Sequence, residues 1–316
     1  MTTTTTTPQK KPPIPDEPPI PLLVKPWVYL YNTIPPKFYI PNTNVSTSFA
    51  LCSCLFFCAL YKTIHLLLLH VFHWPPYTEN DVTRSSTIKI TAICHSCLLC
   101  LTLGPLLQTQ PFIPSCPMKV HPQWWQDGAN AILEFCTGYM LYDAILNIFI
   151  ARYFQWGGHA MSIPDYCYLV HHFATSYYMT ATRVTGAGHV SAMVIMFFGE
   201  LTNPFQNAFC MTRQMMKKDV FVDITKALHV YTEFSYAFLY FFIRGCFGPC
   251  LCGYVTYDIA FTKHGRSYIP IRTSIVWLIM LWAVMLGSYP WVLDTFDMLK
   301  DGLDVKYHKG YVGVEL

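Results

Sequence analysis

Seven apolar stretches divide this chain between Phe49 and Leu293, each close to the length a helix needs to cross a bilayer. The hydrocarbon core is about 30 Å thick and takes about 20 helical residues to span. Only segments that satisfy their own backbone hydrogen bonds are tolerated there. The pattern predicts an all-α integral membrane protein, a bundle or helical barrel of about seven transmembrane helices. The expected spans are Phe49–Phe72, Thr87–Leu107, Ala131–Ala151, Tyr166–Ala181, Val190–Phe209, Ile224–Ile243 and Thr273–Leu293. Composition agrees, since 53% of residues are hydrophobic and 12% charged, against about 25% charged in a soluble domain.

Breakers separate the spans: Pro75-Pro76, Pro111 with Pro114, Gly157-Gly158, and Gly186 with Gly188. Trp74, Trp124-Trp125 and Trp156 fall just outside them, where indole rings favour the headgroup layer. Residues 1–44 are expected to be a disordered Pro/Thr-rich tail, 45–295 the transmembrane domain and 296–316 a C-terminal tail. No signal-peptide pattern precedes the first span, which is expected to serve as the insertion signal.

The formal charge is +3 and no basic run resembles a nucleic-acid footprint, so nucleic acid is not an expected partner. Basic residues fall on both sides of the spans, and orientation stays open. Of the 13 cysteines most lie in apolar runs, and the Cys94, Cys97, Cys100 steps lack the further ligands a zinc site needs. Cys246, Cys250 and Cys252 sit near Pro249, an expected helix end where palmitoylation is conceivable.

Ionisable side chains inside spans are expensive and mark functional cavities or internal pairs. The adjacent His171 and His172 head two hydroxyl-bearing stripes, His171, Thr175, Tyr178, Thr182 and His172, Ser176, Thr180, Arg183. Neighbouring helical residues point about 100° apart, so two imidazoles can flank one cavity without stacking. His95, Tyr139, Asp143, Glu200, Asn203, His229 and Glu233 are expected to line the same cavity with Thr175 and Ser176. Asp143 needs a donor, and Glu134, nearer the membrane surface, is read as solvated. Pro204 lacks an amide hydrogen and leaves the Glu200 carbonyl without its usual partner, so an inward kink is expected there. Lys226 and Arg244, at opposite ends of the sixth span, are read as snorkelling charges.

Taken in order, these residues resemble the TLC domain, the family of translocating-chain-associating proteins, ceramide synthases and a ceroid-lipofuscinosis protein. The resemblance covers roughly Ser48 to Asp294. It rests on His95, Thr137-Gly138-Tyr139-Met140-Leu141-Tyr142-Asp143, the His171-His172 pair, Glu200-Leu201-Thr202-Asn203-Pro204-Phe205-Gln206-Asn207 and Phe241-Phe242-Ile243-Arg244 before Pro249. Ceramide synthases carry a His-Asp after their histidine pair, whereas here Val190 follows His189, so the chain looks like the TLC-domain-containing subgroup. The resemblance implies a helical barrel enclosing lipid, residence in the endoplasmic reticulum or another membrane such as the plasma membrane, and a role in lipid homeostasis.

Two functions fit. One is a protein that binds or senses an acyl-chain lipid in its cavity, with membrane lipids as partners. The other is an acyltransferase in which His171 and His172 are the candidate catalytic residues. No cofactor or bound metal is expected on either, and acyl-CoA would be the acyltransferase's co-substrate. A metal-dependent lipid oxidase fits poorly, because His70-x-x-His73 and His171-His172 lie on different spans. No internal repeat supports a transporter.

Overall fold

A computed structural model describes residues 18–74, 82–145, 163–217 and 222–308. Pro75-Pro76, Asn147, Trp156 and Gly157-Gly158 lie outside the described residues. The helices are α1 (Lys25–Thr33), α2 (Ser48–His70), α3 (Val82–Gln108), α4 (Gln123–Tyr142), α5 (Ile163–Thr185), α6 (His189–Leu201), α7 (Asn203–Met216) and α8 (Val222–Tyr240). After a π-helical stretch, Phe241–Phe247, come α9 (Gly248–Thr256), α10 (Lys263–Tyr268), α11 (Ile271–Gly287) and α12 (Tyr289–His308). Two isolated bridges are the only β pairing among the described residues, so no sheet closes into a barrel and the architecture is an all-α bundle.

Where seven spans were expected, four helices among the described residues are long and apolar enough to cross a membrane: Ser48–His70, Val82–Gln108, Asp223–Phe261 and Ile271–Gly302. The expected fifth span, Val190–Phe209, is two helices divided at Thr202, with Pro204 in the first turn of the second. Proline suits a helix start because the amide it lacks is unpaired there anyway. The sixth span is the opposite case and runs on for 39 residues. Gly248-Pro249 does not end it, because the preceding π-helical turn absorbs the irregularity, as such turns do within long helices. Cys246, Cys250 and Cys252 therefore lie within a long helix and not at its end.

α4 and α5 are long enough to span but less apolar than those four. For α4 the reason is its position, packed by α1, α2, α3 and α5. A helix covered by protein can carry polar groups that lipid would reject. Trp124 and Trp125 are buried in the core, with the Trp125 indole N–H donating to the Leu106 carbonyl at 3.1 Å. α2 and α4 meet at Gly138, where an added Cβ would strike the Ala50 carbonyl and come within 2.6 Å of the Ser53 Cβ.

The tail boundaries also differ. Lys25–Thr33, within the stretch 1–44, is a helix docked on α4, with Val24 fully buried and Trp27 edge-on to Phe135 at 4.6 Å. At the other end α12 continues to His308.

α3 displays the polarity of a membrane bundle. It buries Arg84, Ser86, Thr87, Thr91, His95 and Ser96 while exposing Leu98 and Leu101. Polar groups turn inward, where Thr87, Thr91 and Ser96 find hydrogen-bond acceptors, and apolar ones turned outward suit lipid.

Candidate functional site

The inward face of α3 meets α4 and α6 around His95, which has no exposed surface. Its ring stacks on Tyr139 with centroids 3.8 Å apart and planes at 8°, against Phe135 at 5.6 Å and edge-on to Phe57 at 5.6 Å. On the imidazole edge lies Glu200, whose Oε2 is 3.6 Å from His95 Nδ1. The same oxygen accepts from the Ser96 hydroxyl at 2.6 Å and from the Asn203 amide at 2.8 Å. The break at Thr202 gives Asn203 this role, since its side chain turns back onto Glu200 from the first position of α7. Instead of stranding the Glu200 carbonyl, the break lets the Thr202 amide cap it.

His172 forms a second centre. Its Nδ1 is 2.8 Å from the Tyr168 carbonyl and its Nε2 is 2.9 Å from Asp143 Oδ2, at the end of α4. A carbonyl can only accept, so the tautomer assigned by this contact has the hydrogen on Nδ1. The contact between Nε2 and the carboxylate oxygen then requires one further proton, on the ring or on Asp143. Asp143 thus lies within ion-pair distance of His172 on the adjacent helix.

His171 stands edge-on to His172 with centroids 5.7 Å apart, and Arg244 and Glu200 are close enough for their charges to act on it. The Thr175 hydroxyl donates to the His171 backbone carbonyl at 2.9 Å, and Ser176 is half-buried one residue on. His229 and Glu233 do not join this group. His229 Nδ1 is 3.0 Å from the Thr212 hydroxyl, its ring stacks on Phe209, and the Glu233 side chain, 3.9 Å away, is 45% exposed. These belong to the α7–α8 pair.

Two voids accompany the cluster. One, of about 290 Å³, is almost wholly apolar and lies between α3, α4, α6 and the π-helical stretch with α9. Gly104, Trp125, Val194, Phe197, Phe198 and Phe247 line it. The other, of about 380 Å³, is polar and lies under α1, lined by Tyr31, Tyr39, Phe49, Asn130, Glu134 and Arg183 among others. Neither is lined by His171 or His172.

Sequence reasoning missed three features. Glu134 is not solvated. It is fully buried, paired with Arg183 and accepting from the Ala50 amide at 3.0 Å. Opposite charges in neighbouring expected spans were the available signal. Arg244 does not snorkel, because its guanidinium donates to the Gly199 carbonyl at 2.9 Å and the Ser288 hydroxyl at 3.3 Å. The third feature is His121, packed on Trp125 at 4.0 Å and edge-on to His189 at 5.5 Å, with Nδ1 3.0 Å from Gln110 Oε1. Burial outside the spans holds the His121 pKa below its ordinary 6.5 and lifts the Tyr31 phenol above 10.0. Among the described residues no three His, Cys, Asp or Glu side chains converge as metal ligands would.

A family model of the TLC domain matches residues 84–296. The chain belongs to the TLC domain family. The matched region takes in both buried histidine centres and the Glu200–Asn203 element of this TLC domain. Comparison with curated proteins gave no match, and comparison with solved structures gave none.

Proposed function

We propose that this TLC-domain protein serves lipid homeostasis by binding or sensing an acyl-chain lipid in an intramembrane cavity within its helical bundle. It acts as a seven-span protein of the endoplasmic reticulum, in the TLC-domain-containing subgroup. The observation that carries the reading is the burial of two histidine–carboxylate pairs, His95 with Glu200 and His172 with Asp143, contributed by four helices. Buried ionisable groups in a membrane protein mark functional sites by default, because each is expensive unless it is used or paired. The adjoining apolar void supplies the kind of lining an acyl chain requires. α4, α5 and the α6–α7 pair supply the further crossings.

Mass spectrometry of lipids that co-purify with the full chain tests this. A defined acyl lipid that is lost on filling the void with Val194→Trp is the expected result. Equal lipid content in the variant would sink the proposal. Seven crossings also require the termini on opposite membrane faces, whereas four require the same face, and terminal tag protection in intact microsomes distinguishes them.

The acyltransferase reading draws on one specific contact. His172, with a carboxylate at one nitrogen and a carbonyl at the other, is fixed in place and leaves the proton-accepting role to the neighbouring His171. On this reading His172 is the oriented group and His171, flanking it, takes the proton of an attacking amine or hydroxyl or accepts the acyl chain from acyl-CoA. With purified protein, acyl-CoA and a lipid amine, His171→Ala and His172→Ala should each lower product formation by about 10²-fold or more. Unchanged turnover in both would leave only the binding reading.

A further inference from the structure

Arg244 is the one arginine of the long Asp223–Phe261 helix. Among the described residues no carboxylate forms an ion pair with it. Its two amino groups donate to neutral oxygens, the Gly199 carbonyl and the Ser288 hydroxyl. The Nε–H is buried with no partner, and the guanidinium carbon lies 5.4 Å from the Tyr240 ring centroid. Glu200, next to Gly199, is already committed to Ser96, Asn203 and His95. Glu233, on the same long helix, is eleven residues earlier, about 16 Å along the axis. A cation at membrane depth with only neutral acceptors is costly, and a bound anion would relieve that cost.

Arg244 does not itself line the apolar void, but its neighbours do. Phe247, one helical turn beyond Arg244, lines it, and so does Phe198, the residue before the Gly199 that Arg244 grips. The site thus pairs an apolar chamber with an uncompensated guanidinium at its margin. The π-helical stretch that holds Arg244 is itself a device that often accompanies functional positions.

We propose that Arg244 anchors the oxyanion of a single-chain anionic amphiphile, a fatty carboxylate or a monoacyl phosphate, whose tail occupies the void lined by Val194, Phe197, Phe198 and Phe247. At about 290 Å³ the chamber suits a segment of one chain, since sites for whole drug-sized ligands run from about 300 to 1,000 Å³. The inference deepens the lipid-binding reading and rests on it. Guanidinium is suited to both oxyanions because its fork of donors matches carboxylate and phosphate alike.

The test uses the purified full chain in a neutral detergent, with radiolabelled palmitate, a monoacylglycerol phosphate, hexadecanol and inorganic phosphate as probes. The wild type should bind palmitate or the monoacyl phosphate at least tenfold tighter than hexadecanol, and whichever binds tighter identifies the source of the oxyanion. Arg244→Gln should weaken the anionic amphiphiles at least tenfold while leaving hexadecanol unchanged, which also shows that the variant is folded. Arg244→Lys should lose less. Wild-type affinity for hexadecanol equal to that for the anionic amphiphiles overturns the inference without any variant. Anionic affinity retained in Arg244→Gln overturns it while the lipid-binding reading stands. Inorganic phosphate binding as tightly as the amphiphiles removes the tail from the proposal and overturns it. If neither palmitate nor hexadecanol binds, both readings fall.

Discussion

At the scale of single residues, one buried ion pair is fully committed. Glu134 and Arg183 tie α4 to α5, and Arg183 also donates to the Ser46 carbonyl at 2.7 Å and the Asn130 amide oxygen at 3.1 Å. Removing one partner leaves the other buried and unpaired, so Glu134→Ala should cost about 3–5 kcal/mol. The paired change Glu134→Leu with Arg183→Met should cost much less, because it strands no charge. Thermal unfolding in detergent reads both. His121 gives a pH dependence of known sign. Its folded pKa is depressed by burial, so the unfolded chain binds the proton first. Stability from this group is full above 6.5 and declines as pH falls from there through the lower folded value. The unfolding midpoint should fall between pH 7 and pH 5, and His121→Gln should flatten that fall. An unaltered slope in the variant would discount His121. These roles were only partly legible in the sequence. Asp143's need for a donor could be read from its place in an apolar run, but that its neighbour is His172 depends on how α5 is rotated against α4.

At the scale of elements, close approach decides more than propensity. Gly138 lets α2 lie against α4 with no room for a side chain. Gly138→Ala should destabilise by about 1–3 kcal/mol as an overpacked contact, seen as a lower unfolding midpoint. Gly188 holds a φ of 81° at the start of α6, and any Cβ there would also press on Trp277 at 2.6 Å. The two prolines that looked equivalent in the sequence act differently. Pro204 opens α7 after a break, whereas Pro249 sits within a helix that continues through a π-helical turn. Both motifs signalled irregularity, and the neighbours decided its form. At Glu200–Asn203 the break is held by a side-chain contact, while α12 packs along the π-helical stretch and α11 along α9 beyond it.

At the scale of the whole molecule, the polar surface lies inside and much of the apolar surface outside. Ile275, Ile279, Leu286 and Leu293 are exposed along α11 and α12, as are Tyr231, Phe234 and Phe238 on α8. Cysteines report on this arrangement. In single-cysteine variants an apolar thiol reagent dissolved in the bilayer should label Cys97, Cys246 and Cys250, which are exposed, and spare Cys136 and Cys252, which are buried. Rapid labelling of Cys136 would contradict the central position of α4. α1 belongs to the same whole, and Trp27→Ala should lower the unfolding midpoint by removing its contact with Phe135.

The sequence by itself determined the solvent and the class. Runs of about 20 apolar residues have few ways to satisfy their backbone other than as membrane helices, and buried His, Asp and Glu among them announced an internal site. Only the tertiary structure decided which of those groups meet. His95 with Glu200 and His172 with Asp143 fall together, while His229 and Glu233 fall apart. It also decided that Arg244 turns inward to Gly199 without a carboxylate. The physical reason is that apolar periodicity fixes that a helix is made and roughly which face is polar, whereas helix rotation and neighbour order come from packing at residues such as Gly138 and Gly188, whose partners lie far away in the chain.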